Sequence, residues 1–302
     1  MPVSTLSIVH VHGTGSIHAA GVANRQVLIA KPRDTPIVAK TVEKWVKSIN
    51  DIDSLHPTFI VHYPIYKLEI YEKISDIFGV DPYPVSRISL EHVDILVSRA
   101  VELMAPRPVW LIAQAFRFAR PTDKGDWPWK RFPDAKEEKI MVFKVLSKNA
   151  KGVLYYTYSS FVSYSPNPVE GLISTNVNSL YLKRGIANIS FYLNVFSELF
   201  LRSDRITYLW NQWTRSGLVD CELLLSGLDT ILMVLVNRNH ISDEYKFKIS
   251  PVDEVKVRVM FPEWFRVKDS FRLTLDGPVD IGFKFIKRDS KGRESYDINL
   301  EN

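Results

Sequence analysis

The sequence predicts two kinds of fold in succession, α/β over residues 1–204 and all-β over residues 205–302. Three observations predict it. From Thr58 to Ser160, short apolar runs alternate with segments of helical periodicity, the pattern of parallel βαβ units. The apolar runs there are continuous, as expected of parallel strands buried on both faces. After Asp204 the pattern changes to short strand-like runs separated by turn residues, with no helical interval between them.

The elements follow in order. Leu6–Val11 and Gln26–Ala30 are compact apolar runs, and Lys31-Pro32 stops the second because proline cannot continue a strand ladder. Thr35-Pro36 reads as a helix start, with Thr35 as N-cap and Pro36 in the first turn, where its missing amide hydrogen costs nothing. Val38, Val42, Trp45, Val46 and Ile49 then recur at helical spacing, which predicts an amphipathic helix over 36–50. Thr58–His62 is a strand, Leu68–Ser75 a brief helix, and Ile77–Val80 a strand that ends in Asp81-Pro82-Tyr83-Pro84. Helical periodicity over Leu90–Met104 precedes a strand at Val109–Phe116. A helix at Lys136–Asn149 precedes a strand at Gly152–Tyr158. Leu180–Leu201 is a long helix, apolar nearly all round except at Arg184 and Glu198. Beyond Asp204, Ile206–Trp210, Cys221–Leu225, Thr230–Asn237, Tyr245–Ile249, Val255–Phe261, Ser270–Leu275, Val279–Ile286 and Tyr296–Leu300 read as an antiparallel β-sandwich.

Bulk properties exclude several functions. The chain has 302 residues, 46% hydrophobic and 24% charged, a soluble globular composition. No apolar run reaches the roughly 18 residues that a membrane span needs, so no membrane partner is expected. Met1–Ala23 lacks a basic start followed by an apolar block. A cytoplasmic location is therefore expected, unless a leader lay upstream. The single cysteine, Cys221, excludes an internal disulfide and reads as a small buried hydrophobe. The net charge of +5 is spread along the chain, so nucleic acid is not an expected partner. His10 and His12 share a strand face, but no carboxylate follows at ligand spacing, so neither a metal nor a cofactor is expected. There is no Gly-x-Gly-x-x-Gly fingerprint and no Gly-x-Ser-x-Gly elbow.

Four motifs in order carry a resemblance. They are Asp53-Ser-Leu-His56-Pro57-Thr58, Ser75-Asp76-Ile-Phe-Gly79-Val-Asp81-Pro82-Tyr83-Pro84, Arg107-Pro108-Val109-Trp110-Leu-Ile-Ala-Gln114-Ala-Phe116 and Ala150-Lys151-Gly152-Val-Leu-Tyr155-Tyr156. Phe132-Pro133 precedes the Glu137-Glu138 helix between the last two. Together they resemble the closing half of a glycoside-hydrolase-like β/α barrel family. The resemblance implies a partial TIM-type barrel lacking its first strands, followed by the β-sandwich. It also implies a carbohydrate as partner, with an open barrel edge that a second copy could cover.

Glycoside hydrolysis ordinarily needs two carboxyl groups, one to protonate the leaving oxygen and one to attack or to activate water. In barrels they stand at the C-terminal strand ends. The resemblance implies an Asp-Glu-Pro at the end of the fourth strand. This chain reads Ile29-Ala30-Lys31-Pro32-Arg33-Asp34, with lysine in the acid's place. Gln114 stands where the seventh strand often carries the nucleophile. Asp81 is the remaining catalytic candidate, as a base or a sugar-binding acid, or else it caps its own turn. Asp76 reads as a structural hydrogen-bonder. His62, Tyr63, Tyr83, Gln114, Phe116, Trp127, Trp129, Tyr156 and Tyr158 fall at strand ends or in the following loops and are the candidate sugar-binding residues. Three functions remain open: a glycosidase, a non-catalytic carbohydrate-binding protein, and a structural or assembly protein.

Overall fold

The computed structural model describes residues 9–12, 16–19, 28–30, 36–62, 68–118, 130–159, 169–206, 212–214, 217–252, 254–261, 265–274, 277–281 and 283–301. The first part contains β1 (Val9–His12), β2 (Ser16–Ala19), β3 (Leu28–Ala30), α1 (Pro36–Ile52), β4 (Phe59–His62), a 3-10 turn at Leu68–Tyr71 and β5 (Ile77–Val80). It continues with α2 (Glu91–Met104), β6 (Val109–Gln114), β7 (Arg117–Phe118), α3 (Ala135–Ser147), β8 (Gly152–Tyr156), β9 (Val169–Glu170) and α4 (Val177–Leu201). Then come β10 (Ser203–Arg205), β11 (Gln212–Thr214), β12 (Val219–Ser226), β13 (Thr230–Asn237), β14 (His240–Ser242) and β15 (Phe247–Ile249). The last are β16 (Glu254–Phe261), β17 (Phe271–Thr274), β18 (Gly277–Asp280), β19 (Phe283–Arg288) and β20 (Glu294–Glu301).

Strands β4, β5, β6 and β8 form one parallel sheet in chain order. β1 pairs in parallel with β3, and β3 lies beside β4. β2 adds an antiparallel partner to β1 that the apolar pattern had not marked. The helices expected at 36–50, 90–104 and 136–149 are present with small shifts of their ends. The brief helix at Leu68 narrows to a single 3-10 turn. α3 begins with a capping box, in which the Asp134 side chain accepts from the Lys136 amide and the Glu137 carboxylate accepts from the Asp134 amide.

Strand parity sorts the side chains into two cores. Ile60, Phe78, Val80, Leu111 and Ala113 face the helices and pack with Val42, Val46, Val93, Val97, Met141 and Val145. Phe59, Val61, Ile77, Trp110, Ile112, Leu154 and Tyr156 face the other way, into a second cluster with Tyr83 and Phe116. Two glycines permit this inner packing. A Cβ on Gly79 would lie 2.7 Å from the Phe59 ring, and one on Gly152 would lie 2.6 Å from the Trp110 indole. Asp76 ties the opening ends of β4 and β5 together. Its Oδ2 accepts from the amide and the hydroxyl of Thr58, each at 2.7 Å.

Every described pairing after Ser203 is antiparallel. β10-β12-β13 is one sheet and β11-β16-β20-β19 another. The single run expected over 279–286 divides into parts of β18 and β19. Of the strand expected at 206–210, only Ile206 lies among the described residues, and it is not in a strand. The β12-β13 pair is buried on both faces. Cys221 and Leu223 pack with Val257, Val259, Phe261, Tyr296 and Ile298, whereas Leu224, Val234 and Val236 join the helix-side core. Burial pushes the Cys221 thiol up to about 12, with Glu222 and Asp220 adding to it, so it packs rather than reacts.

An ionic seam joins the helices to β12. Lys144 of α3 is 1% exposed and reaches Glu91 at 2.7 Å and Asp220 at 2.9 Å. Its neighbour Lys148 pairs with Glu222 and lies 3.5 Å from Asp94. Burial by itself would lower the Lys144 pKa. The hydrogen bonds it donates to Glu91 and Asp220 outweigh it and hold the ammonium above its usual value.

Candidate functional site

The C-terminal ends of the parallel strands bring Asp81, Gln114 and Tyr156 together, with Tyr83 and Phe116 just beyond. The register explains this. Gln114 of β6 stands opposite Tyr156 of β8, and Val80 of β5 pairs with both His62 and Leu111. Tyr83 packs edge-on against Phe116 at 5.1 Å between ring centroids and stacks on Tyr156 at 5.9 Å. Phe116 also meets Tyr156 edge-on at 5.7 Å. Such ring pairs add about 0.5–1.5 kcal/mol beyond their area.

Asp81 is 1% exposed and lies among these rings. Burial holds the Tyr83 phenol well above its usual value. The negative charge of Asp81, the neighbouring Tyr156 and a hydrogen bond to the Asp81 side chain reinforce that. Burial and the charge of Asp81 also raise Tyr156. Both phenols therefore stay protonated beside the carboxylate. Tyr83 sits between two prolines at φ 40, a left-handed conformation uncommon for a bulky residue. Its ring contacts with Phe116 and Tyr156 hold it there.

Gln114 is 0% exposed and its amide is occupied by the backbone. Its Oε1 accepts from Val85 N at 3.0 Å, and its Nε2 donates to Phe116 O at 3.3 Å and Val85 O at 3.5 Å. It clamps the turn after β5 to the end of β6, and those bonds leave its amide little capacity for a sugar hydroxyl. His62 is 1% exposed on the helix side, tilted against Tyr71 at 4.8 Å and stacked on Phe78 at 6.3 Å. It does not face the Asp81 cluster. Tyr158 is 60% exposed beyond β8. Tyr63, Trp127, Trp129 and Lys31 lie outside the described residues. So do the side chains of His10 and His12, whose backbones form part of β1.

Two features were not expected from sequence. Glu91, Asp94 and Asp220 come within metal-ligand distance of one another. The ammonium of Lys144 already bonds two of them, so a cation is built into the cluster. A hollow of about 570 Å³, lined by Glu69, Asp94, Ile95, Ser98, Arg99, Glu102 and Leu103, lies on the outer side of α2 rather than at the strand ends.

Glu138 is a further buried carboxyl, beneath Tyr155 of β8. Burial, and secondarily the charge of Glu137, hold it well above the usual 4.5. Glu137 itself is satisfied by a two-pronged bond from Arg131 at 2.6 and 2.8 Å. An acid whose folded pKa is raised binds more protons folded than unfolded, so stability falls as pH climbs above its unfolded value. Glu138→Gln cannot titrate. Urea midpoints followed upward from pH 4.5 should fall less steeply in this variant than in the parent. Parallel profiles would remove Glu138 as a source of the slope.

No family model matches the chain, and no curated protein matches it. The solved structures that it matches include glycoside hydrolases. A β-D-glucuronidase of Dictyoglomus thermophilum is 12% identical over 53% of this chain and 31% of its own, with a TM-score of 0.36. A Bacteroides uniformis β-glucuronidase is 9% identical over 91% of this chain and 34% of its own, with a TM-score of 0.34. A cyclic α-maltosyl-(1→6)-maltose hydrolase from Arthrobacter globiformis is 12% identical over 91% of this chain and 55% of its own, with a TM-score of 0.35. The chain thus spans between about a third and just over half of their lengths.

Proposed function

We propose that this protein binds a carbohydrate on a glycosidase-type β/α scaffold without hydrolysing it. In this reading residues 1–204 are a partial TIM-type barrel and residues 205–302 a β-sandwich. The observation that carries it is the state of Asp81. Among the described strand ends of the parallel sheet it is the one carboxylate, and it is buried, with the Tyr83 and Tyr156 phenols close enough for its charge to raise both. Hydrolysis needs two carboxyl groups on either side of a glycosidic bond. The sequence supports the same reading, with Lys31 and Gln114 where the family resemblance implies acids. What remains suits binding. The half-buried Tyr156 and the exposed Tyr158 offer ring faces to the apolar side of a sugar, and Tyr63, Trp127 and Trp129 follow strands β4 and β7 in the sequence.

The test is titration of the purified protein with a panel of oligosaccharides, read by tryptophan fluorescence, together with an assay for new reducing ends. Saturable quenching without new reducing ends is expected. Tyr156→Ala should weaken the binding about tenfold, equivalent to about 1.4 kcal/mol. Silence across the whole panel would end the sugar reading. New reducing ends that vanish in Asp81→Asn would replace binding with catalysis.

A further inference from the structure

Helix α4 buries one face and leaves the other uncovered. Ser179, Leu182, Ile186 and Ile189 point into the protein. Leu180, Tyr181, Phe191, Val195 and Leu201 are exposed, Phe191 by 56%. Phe191 is the centre of this outer stripe. Seven residues to either side of it stand Arg184 and Glu198, almost two helical turns away and on the same line of the helix.

The stripe is complementary to its own reverse. A two-fold axis through Phe191 places residue i of one helix opposite residue 382 minus i of the other, by simple counting on this numbering. Arg184 then meets Glu198, Asn188 meets Asn194, Ala187 meets Val195, and Tyr181 meets Leu201, while Leu180 meets the aliphatic stem of Arg202. Opposite charges, paired amides, a small residue facing a larger one and two apolar residues each coincide. Arg184 has no ion pair among the described residues, whereas Glu198 holds only an exposed pair with Arg202 at 2.9 Å. An isologous contact requires this kind of self-complementarity, because each residue must suit its mirror position.

We propose that α4 is a homodimer interface, in which two copies of the chain pack their α4 helices antiparallel across a two-fold axis at Phe191. Tyr181, Phe191, Val195 and Leu201 are each more than half exposed and give the contact an apolar centre, within the ~800 Å² per partner that a standard stable interface buries. Arg184 of each copy pairs with Glu198 of the other and sets the register, since a parallel pairing would oppose like charges. The contact lies on the helix layer, away from Asp81 and Tyr156.

Sedimentation of the full chain should give twice the 34.8 kDa chain mass. Phe191→Asp should shift the species to the chain mass without changing the circular dichroism, because the ring is exposed, and should remove the dependence of the melting temperature on protein concentration. The charge swap tests the geometry. Arg184→Glu and Glu198→Arg should each weaken the dimer at least tenfold, and combining them should restore it. Phe191→Cys should cross-link one copy to another under mild oxidation, the native Cys221 being buried. A parent chain that stays monomeric up to about 100 µM would overturn the proposal, since a weaker contact falls below even transient interfaces. A dimer that survives Phe191→Asp would also overturn it, as would a double charge variant no tighter than the single ones.

Discussion

Gly171→Ala is expected to destabilise the protein by about 3 kcal/mol, at the upper end of what overpacking costs. An added Cβ would lie 2.4 Å from the carbonyl oxygens of both Thr157 and Ser159. These are backbone atoms, so no side-chain rotation relieves the clash. The chain must separate from the segment after β8, and that breaks the bonds from Leu172 N to Thr157 O at 3.0 Å and from Ile173 N to Tyr158 O at 2.8 Å. Gly217 is the comparison. Nothing lies within 4 Å of its Cβ position, and its φ of +62° alone sets the cost of alanine there. That cost is about 1 kcal/mol. Urea unfolding of the two variants separates steric from conformational effects. Because Thr157–Ser159 adjoin Tyr156, Gly171→Ala should also weaken any carbohydrate binding. Equal midpoints for the two variants would contradict the close approach at Gly171.

The second large effect is expected at Lys144. Replacing both of its partners, Glu91→Gln with Asp220→Asn, leaves a buried ammonium without a counter-charge. Breaking a buried pair in this way costs about 3–5 kcal/mol. The lower end applies, because Glu91 and Asp220 are themselves 35% and 25% exposed. Adding Lys144→Met to the double variant should recover most of the loss, since an apolar side chain of similar length needs no partner there. Chemical denaturation of the single, double and triple variants measures it. If the triple variant were no more stable than the double, the buried charge would not be the cause. The same seam couples the two halves, because Lys144 lies in α3 and Asp220 in β12. Loss of the seam should therefore loosen the β12-β13 sheet from the helices before it disturbs the parallel strands.

Much of this architecture was legible in the chain. Continuous apolar runs marked β4, β5, β6 and β8 because parallel strands are covered on both sides. The period of Val42, Trp45, Val46 and Ile49 marked α1, because only one face of it meets the core. Asp76 read correctly as a structural hydrogen-bonder. The site was less legible. His62 and Gln114 both end strands, and both are polar, so both looked like ligands for a sugar. Counting parity along β4 separates His62 from Phe59 and Val61, and that signal was available. Nothing in the sequence near Gln114 shows that Val85, 29 residues away, takes its amide. The ionic seam was equally hidden, with Glu91 and Asp220 lying 53 and 76 residues from Lys144.

By itself, the sequence determined the strands and helices of the first part, the antiparallel character of the second, and the lysine and glutamine at the positions where the family resemblance implies acids. These are local properties, set by periodicity, turn residues and side-chain chemistry. Only the tertiary structure decided which side of each strand end faces which core. It placed Asp81 in a ring of aromatics under Tyr83 and gave the Gln114 amide to the backbone. It also buried β12-β13 between the helices and a second sheet. Each of these is set by partners far away in the chain, and a contact over such distances leaves no mark on local pattern.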